Sequence, residues 1–138
     1  MYPEDLVIPM KEELTENGFT EMLTAEDVDN TLKQKGTALV MINSVCGCSA
    51  GTARPGVLMA VNSTENKPDQ IKTSFAGFDV EAVNEIRKHL VPYPPSSPAI
   101  ALFKDGELVH MIERHMIEGR SAQMIADNLK GAFSAYCN

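Results

Sequence analysis

The spacing of apolar residues predicts four β-strands in this chain. Thr37–Asn43 is apolar on both faces, as in a central strand that helices cover on each side. Residues 71–76 alternate apolar and polar side chains and predict a second strand. Two more strands are predicted at 99–104 and 108–113, because the dipeptide Asp105–Gly106 between them is a two-residue hairpin signal.

Apolar residues three or four positions apart predict the helices that surround these strands. Helices are predicted over residues 9–18, 24–35, 50–62, 79–90 and 120–136. Pro9 is expected to open the first helix, and Asp79 is expected to cap the fourth. Pro55 lies inside the third and predicts a kink or a late start, since proline lacks the N–H that a helix interior needs. The order of elements predicts an α/β fold.

The length of 138 residues suits one domain, residues 1–138, with one core. We expect residues 1–36 to form an N-terminal helical extension and residues 37–138 to form a β-α-β-α-β-β-α core. No apolar run approaches 18 residues, which excludes a membrane-spanning helix. The acidic start of the chain lacks the layout of a signal peptide, so we expect a cytoplasmic location.

The charge balance restricts the classes of partner. Nineteen acidic residues against twelve basic ones give a net charge of −7, which argues against nucleic acid or an anionic membrane surface. The three cysteines are an odd number and too few for a secreted fold stabilised by disulfides. In a reducing cytosol such cysteines are catalytic or metal-binding more often than structural.

Cys46 and Cys48 lie where the first predicted strand gives way to a helix. Free backbone N–H groups and the helix dipole stabilise a thiolate at such a place and lower its pKa. Because the thiolate is the nucleophile, this position predicts a site of thiol–disulfide exchange. Gly47 between the cysteines permits the backbone bend that would bring the two sulfur atoms together.

The element order is similar to that of the thioredoxin fold. Thioredoxin-like proteins carry a cis-proline before the third strand of this order, where Pro98 follows Ser97 here. Short segments spread over nearly the whole chain form a second, more specific set. They are VIPM at 7–10, NSVCGC at 43–48, ARP at 53–55, PSSP at 95–98, RHMIEG at 114–119 and the terminal Cys137. In these segments the chain resembles the bacilliredoxins.

This resemblance implies a thioredoxin-like fold with a four-stranded mixed sheet covered by helices. It implies an oxidoreductase that removes bacillithiol, a low-molecular-weight thiol, from mixed disulfides on client proteins, with Cys46 as nucleophile and Cys48 as second active-site thiol. Bacillithiol is then a co-substrate regenerated by its own reducing system, and no tightly bound cofactor or metal is expected. Ser97 and cis-Pro98 would present backbone to an extended substrate; the alternative is an ordinary turn proline.

Other functions remain open at this point. The small ring of a CxC disulfide is expected to be strained, which favours a monothiol cycle in which a second small thiol resolves the adduct on Cys46. An oxidising CxC pair equally suits a general protein disulfide isomerase or reductase. A different class is a thiolate metal-binding protein, with Cys46, Cys48 and Cys137 or a histidine as ligands.

Three further residues have two interpretations each. Arg54 either acts at the site, by raising the positive potential near the thiolate or by binding an anionic group of bacillithiol, which carries carboxylates, or it is a solvated helix residue or a structural ion pair. Cys137 is either an exposed bystander or a third participant that reaches the site. His115 either has a surface or fold-supporting role or takes part in proton transfer.

Overall fold

The computed structural model describes residues 1–138 and arranges them as one β-sheet with helices on both faces. The strands are β1 Thr20–Glu21, β2 Thr37–Asn43, β3 Gln70–Phe75, β4 Ala99–Lys104 and β5 Glu107–Ile112. The helices are α1 Glu4–Thr15, α2 Ala25–Leu32, α3 Arg54–Ser63, α4 Val80–Lys88, α5 Arg114–Ile117 and α6 Ala122–Tyr136. A π-helical turn, Ser49–Ala53, precedes α3.

The sheet has the order β1-β3-β2-β4-β5, with β2 at its centre. β1, β3 and β2 are parallel, whereas β4 pairs antiparallel with both β2 and β5. All seven residues of β2 are buried, as its continuous apolar pattern predicts for a strand covered on both faces. The thioredoxin-like α/β fold that the sequence predicts is therefore confirmed.

Side chains of β2 alternate between two hydrophobic cores, one on each face of the sheet. Leu39 and Met41 pack with α3 and α6, while Val40 and Ile42 pack on the opposite face with α2 and α4. This period of two follows from the pleat of the strand. The two layers hold the end of β2 in place, and that end leads directly to the cysteine pair.

The sheet has five strands rather than four, because the predicted N-terminal helical extension contributes β1. Thr20 pairs with Lys72 and Glu21 with Thr73, at the outer edge of β3. A polar strand of two residues has no hydrophobic period, so sequence reasoning could not detect it. Edge strands of this kind depend on backbone pairing with a neighbour, which only the folded sheet provides.

The first helix begins earlier than predicted. Pro3 is its N-cap and Pro9 lies inside it, not at its start. Val7 and Leu14, seven residues apart and therefore on one face, are both completely buried. Because residues on both sides of Pro9 pack into the core, the helix continues through the proline. Two acidic residues in the first turn interact favourably with the positive end of the helix dipole.

The third predicted helix starts late, as the position of Pro55 indicated. Its first residues form the π-helical turn, and α3 itself begins at Arg54 with the proline in its first turn. Proline costs no hydrogen bond there, because first-turn N–H groups have no intrahelical acceptor.

Other boundaries also differ from the predictions. Asp79 is the N-cap residue of α4, but its carboxylate accepts hydrogen bonds from Phe75 N and Lys11 Nζ rather than from the helix. The helices α2 and α4 end two to three residues before their predicted ends, and the four-residue helix α5 was not predicted.

Candidate active site

Cys46 lines a cleft at the end of the sheet where β2 and β3 finish. The cleft has a volume of about 370 Å³. Loops that follow β2 and β3, the loop before β4 and the start of α5 all contribute to its walls, together with the N-terminus and α4. Its lining residues are Tyr2, Ser44, Val45, Cys46, Ala76, Gly77, Arg87, Ser97 and Arg114. The half-buried Cys46 therefore faces a space that a small molecule can enter.

The thiols of Cys46 and Cys48 are both free, and their sulfur atoms lie 2.6 Å apart. The hydrogen bond from Cys48 lowers the pKa of Cys46, with further support from two backbone N–H groups and the charge of Arg114. Burial, and then the neighbouring Cys46, raise the pKa of Cys48 to about 11. The pKa values of the two thiols are thus shifted in opposite directions, and Cys46 is the one whose thiolate is favoured.

The lowered pKa of Cys46 agrees in direction with the sequence prediction, but its main cause is different. The second thiol is the largest contribution, and the N–H groups that help belong to Cys48 and Ser49. These residues lead into the π-helical turn that precedes the late start of α3. Gly47 is exposed, a Cβ there would meet no atom within 4 Å, and its φ is not positive, so the predicted need for glycine in the bend between the cysteines finds no support in this structure.

The Ser97–Pro98 peptide bond is cis, as the resemblance to thioredoxin-like proteins implied. Ser97 lines the cleft together with Cys46, and Pro98 is buried behind it. The carbonyl oxygen of Ser97 accepts a hydrogen bond from Arg114 Nη1 at 3.4 Å. The loop before β4 thus lies beside Cys46, while its contact with a substrate chain stays a prediction.

Arg54 is a structural residue buried behind the site, so its interpretation as a solvated helix residue is wrong. Only 2% of it is exposed, and its Nε forms an ion pair with Glu13 of α1. Its Nη1 donates to three acceptors, Asn43 Oδ1 at 2.9 Å, Ser44 O at 3.0 Å and Ser49 Oγ at 3.1 Å. These bonds connect both ends of the loop that carries the cysteines. Arg54 is not part of the cleft lining, so the fold does not place it to bind an anionic group of bacillithiol beside Cys46, and its ion pair with Glu13 agrees with the structural interpretation.

Two cleft residues were missed by sequence reasoning, Arg87 on α4 and Arg114 at the start of α5. Arg114 donates from Nε to Glu118 at 2.5 Å, and its charge helps to lower the pKa of Cys46. Arg114 does belong to the RHMIEG segment, which was the one signal that could have identified it. Arg87 offers no such signal, since α4 brings it to the site from 41 positions along the chain.

Cys137 does not join the site. Its thiol lies near Thr37 and Lys104, at the start of β2, whereas Cys46 follows the other end of this strand. Seven strand residues separate the two places by roughly 20 Å. Burial raises the pKa of Cys137, which makes the thiol less reactive. Its predicted alternative as a third participant is therefore wrong for this fold.

The side chain of His115 is 74% exposed, and Glu113 at 3.9 Å is its nearest acidic partner, which favours a surface role. Among histidine, cysteine and acidic side chains, one group of three comes close enough to hold a metal ion: Asp29, Glu85 and His89. No cysteine belongs to this group, so the geometry gives no support to a thiolate metal site. None of the helices is both long enough and apolar enough to cross a bilayer.

A family described as Disulphide isomerase matches residues 2–137 of the chain. A bacilliredoxin of Cytophaga hutchinsonii is 60% identical over 130 residues, which cover 94% of this chain and 96% of the relative. A bacilliredoxin of Salinibacter ruber is 49% identical over 138 residues, covering 99% of this chain and 81% of the relative. The chain belongs to the bacilliredoxin family. The similarity extends across both the N-terminal segment and the core.

Solved structures agree with this family's fold. Oxidised mitochondrial thioredoxin 3 of Saccharomyces cerevisiae superposes with a TM-score of 0.59 at 16% identity, covering 89% of this chain and 98% of that one. Oxidised thioredoxin O2 of Arabidopsis thaliana gives a TM-score of 0.59 at 14% identity, with 89% and 97% covered. Family membership, this fold and the paired cysteines together identify the protein as a thiol–disulfide oxidoreductase with a CxC motif.

Proposed function

We propose that this protein removes bacillithiol from mixed disulfides on client proteins, with Cys46 as the nucleophile. The observation that carries the proposal is the place of Cys46, whose pKa is lowered, in an open cleft beside Cys48, whose pKa is raised. The names of the curated relatives support bacillithiol as the small thiol involved.

The reaction consists of two exchange steps. The Cys46 thiolate attacks the bacillithiol sulfur of the mixed disulfide, a new S–S bond forms to Cys46, and the client sulfur leaves as a thiolate. The thiolate of a second bacillithiol then attacks the bacillithiol sulfur held on Cys46. This step releases oxidised bacillithiol and returns the Cys46 thiolate. The protein therefore ends the cycle in the oxidation state in which it began.

Cys48 supports this cycle by donating its hydrogen bond to the Cys46 thiolate. Because burial holds its pKa at about 11, Cys48 is protonated at neutral pH and is a weak competitor for the adduct. This difference between the thiols favours the monothiol cycle. Ser97, next to cis-Pro98, is proposed to offer its backbone to the client chain.

The test uses a bacillithiolated client protein and measures the release of its free thiol. Cys46→Ser is expected to abolish release. Cys48→Ser, which keeps a hydroxyl donor, is expected to retain much of the rate. Cys137→Ser is the matched control and should behave as the wild type, because this thiol lies at the other end of β2. Equal loss of activity in the Cys46 and Cys48 variants would contradict the monothiol assignment.

A general disulfide isomerase or reductase is the second candidate, and the description of the matching family favours it. The close approach of the two sulfur atoms also suits a transient Cys46–Cys48 disulfide. Mass spectrometry of the reduced protein after exposure to oxidised bacillithiol separates the candidates. A lasting bacillithiol adduct on Cys46 supports the proposed cycle, whereas rapid collapse to an internal disulfide supports general exchange.

The proposed cycle requires partners and a compartment that keep thiols reduced. We propose bacillithiolated client proteins and the reducing system of bacillithiol as the partners, and the cytoplasm as the location. The net charge of −7 is consistent with a protein that does not bind nucleic acid.

A further inference from the structure

The cleft beside Cys46 is positively charged, although the chain as a whole is acidic. Arg87 and Arg114 are the charged side chains of its lining, and no carboxylate belongs to that lining. The net charge of the protein is −7, so a cleft whose lining holds two arginines and no carboxylate departs from the average surface, although Arg114 is paired with Glu118 outside that lining. A cleft of one sign of charge concentrates ligands of the opposite sign.

Arg87 is held in this cleft without a partner from the protein. Its Nε is buried and makes no hydrogen bond. Burial alone shifts the pKa of Arg87 downward, and no carboxylate opposes that shift. An unsatisfied buried donor of a charged group is costly for a fold, and such groups are normally paired. The unpaired positive charge of Arg87 therefore lies at the wall of the cleft, where a bound anion would balance it.

Arg114 differs from Arg87 in being exposed, and it is already oriented towards the cleft. Its Nε is bound to Glu118, and its Nη1 contacts the carbonyl of Ser97. This contact fixes the guanidinium next to the loop before β4, close enough to Cys46 for its charge to favour the thiolate. The remaining N–H groups of its fork are available to a ligand in the cleft.

We infer that Arg87 and Arg114 form a subsite for the carboxylates of the small thiol that the mixed disulfide carries. The inference rests on the proposed function and adds to it the recognition of the non-protein half of the substrate. Guanidinium groups bind carboxylates through paired, charge-assisted hydrogen bonds. A volume of about 370 Å³ accommodates a small ligand. The subsite directs the substrate so that the sulfur of the small thiol, rather than that of the client, meets Cys46.

The test compares two small symmetric disulfides of similar size. Dithiodipropionate carries two carboxylates, and bis(2-hydroxyethyl) disulfide is neutral. The rate at which each modifies Cys46 of the reduced, full-length protein is measured by mass spectrometry. Arg87→Gln is expected to lower the rate with the dianion about tenfold, the effect of losing one charged hydrogen bond, and to leave the rate with the neutral disulfide unchanged.

Lys88→Gln is the matched control. It removes one positive charge from the next position of α4, where the side chain is 73% exposed and outside the cleft. This variant should keep the wild-type ratio of the two rates. If Lys88→Gln lowers the ratio as much as Arg87→Gln does, net charge explains the effect and the subsite is refuted.

A second measurement needs no variant. Succinate, a dicarboxylate without sulfur, should protect Cys46 of the wild type from alkylation by neutral iodoacetamide. The absence of protection, or an unchanged rate ratio in Arg87→Gln, refutes the subsite.

The proposed function is tested separately. A dianion preference that depends on Arg87, with no release of bacillithiol from a client, would retain the subsite and refute the proposed function. Release of bacillithiol that requires Cys46, with no dependence on either arginine, would do the reverse.

Discussion

Replacing Arg54 by methionine tests whether a buried guanidinium holds the cysteine loop in place. Methionine is similar in length and removes the charge and every donor. In the wild type, Nη1 lies within 3.1 Å of Asn43 Oδ1, Ser44 O and Ser49 Oγ. Asn43 Oδ1 keeps its hydrogen bonds from Ser44 N and Ser49 Oγ in the variant. Ser44 O, in contrast, loses the donor that Arg54 supplied.

The expected loss of stability follows from these contacts. Nη1 has two N–H groups, and each charged hydrogen bond contributes about 1.5–3 kcal/mol to the free energy of unfolding. The variant also escapes the desolvation cost of a buried charge, which amounts to several kcal/mol and offsets part of that loss. The unsatisfied carbonyl of Ser44 adds about 1–3 kcal/mol. We expect the free energy of unfolding to fall by about 3 kcal/mol in total.

Urea denaturation followed by circular dichroism measures this change. With a slope of about 1.5 kcal/mol per molar, the midpoint should fall by about 2 M. Glu13→Gln is the matched control, because Glu13 is the partner of Arg54 but its side chain is 49% exposed. Glutamine removes the charge but keeps an acceptor for Arg54 Nε, so this variant should lose less stability than Arg54→Met, which removes every donor. A midpoint for Arg54→Met within experimental error of the wild type would refute the reasoning.

Three other substitutions test separate parts of the structure. Cys48→Ala should raise the pKa of Cys46 and move the midpoint of its pH–alkylation profile upward, since the main hydrogen bond to the thiolate is lost. Below the midpoint, each unit of increase lowers the rate about threefold, because a tenfold loss of thiolate is partly offset by greater nucleophilicity. Cys137→Ser should leave that profile unchanged, as its thiol lies at the other end of the sheet. Gly56→Ala should lower the free energy of unfolding by about 1 kcal/mol, the balance of overpacking against better helix propensity. The added Cβ would lie 2.8 Å from Ile125 Cβ, so α3 and α6 must separate, and urea denaturation measures the cost.

Each of these predictions has a result that contradicts it. An unchanged midpoint in Cys48→Ala would mean that backbone N–H groups and Arg114 stabilise the thiolate without the second thiol. A changed profile in Cys137→Ser would place that thiol in the chemistry after all. A more stable Gly56→Ala would show that α3 and α6 tolerate a methyl group between them.

Local patterns were sufficient for the elements that have a strong hydrophobic period. β2 and its connection to Cys46 follow from one continuous apolar segment, and Asp105–Gly106 forms the predicted turn between β4 and β5. The late start of α3 follows from the missing N–H of Pro55. Such features depend on residues a few positions apart, so the local sequence is sufficient to predict them.

Features that depend on distant residues could not be obtained in this way. The strand β1 exists because β3 offers it a free edge, and Arg54 is buried because α1 and the cysteine loop close over it. Nothing in the sequence near Arg87 indicates that α4 turns this residue towards Cys46.

By itself, the sequence determined the α/β class, the place of the cysteine pair at the end of β2 and the direction in which the pKa of Cys46 is shifted. Tertiary structure decided the source of that shift, the separation of Cys137 from the site and the pair of arginines in the cleft. The physical reason is the distance along the chain between the residues that interact. Strand period and helix start depend on neighbours along the chain, whereas charge, burial and hydrogen bonding act through space between residues that only the fold brings together.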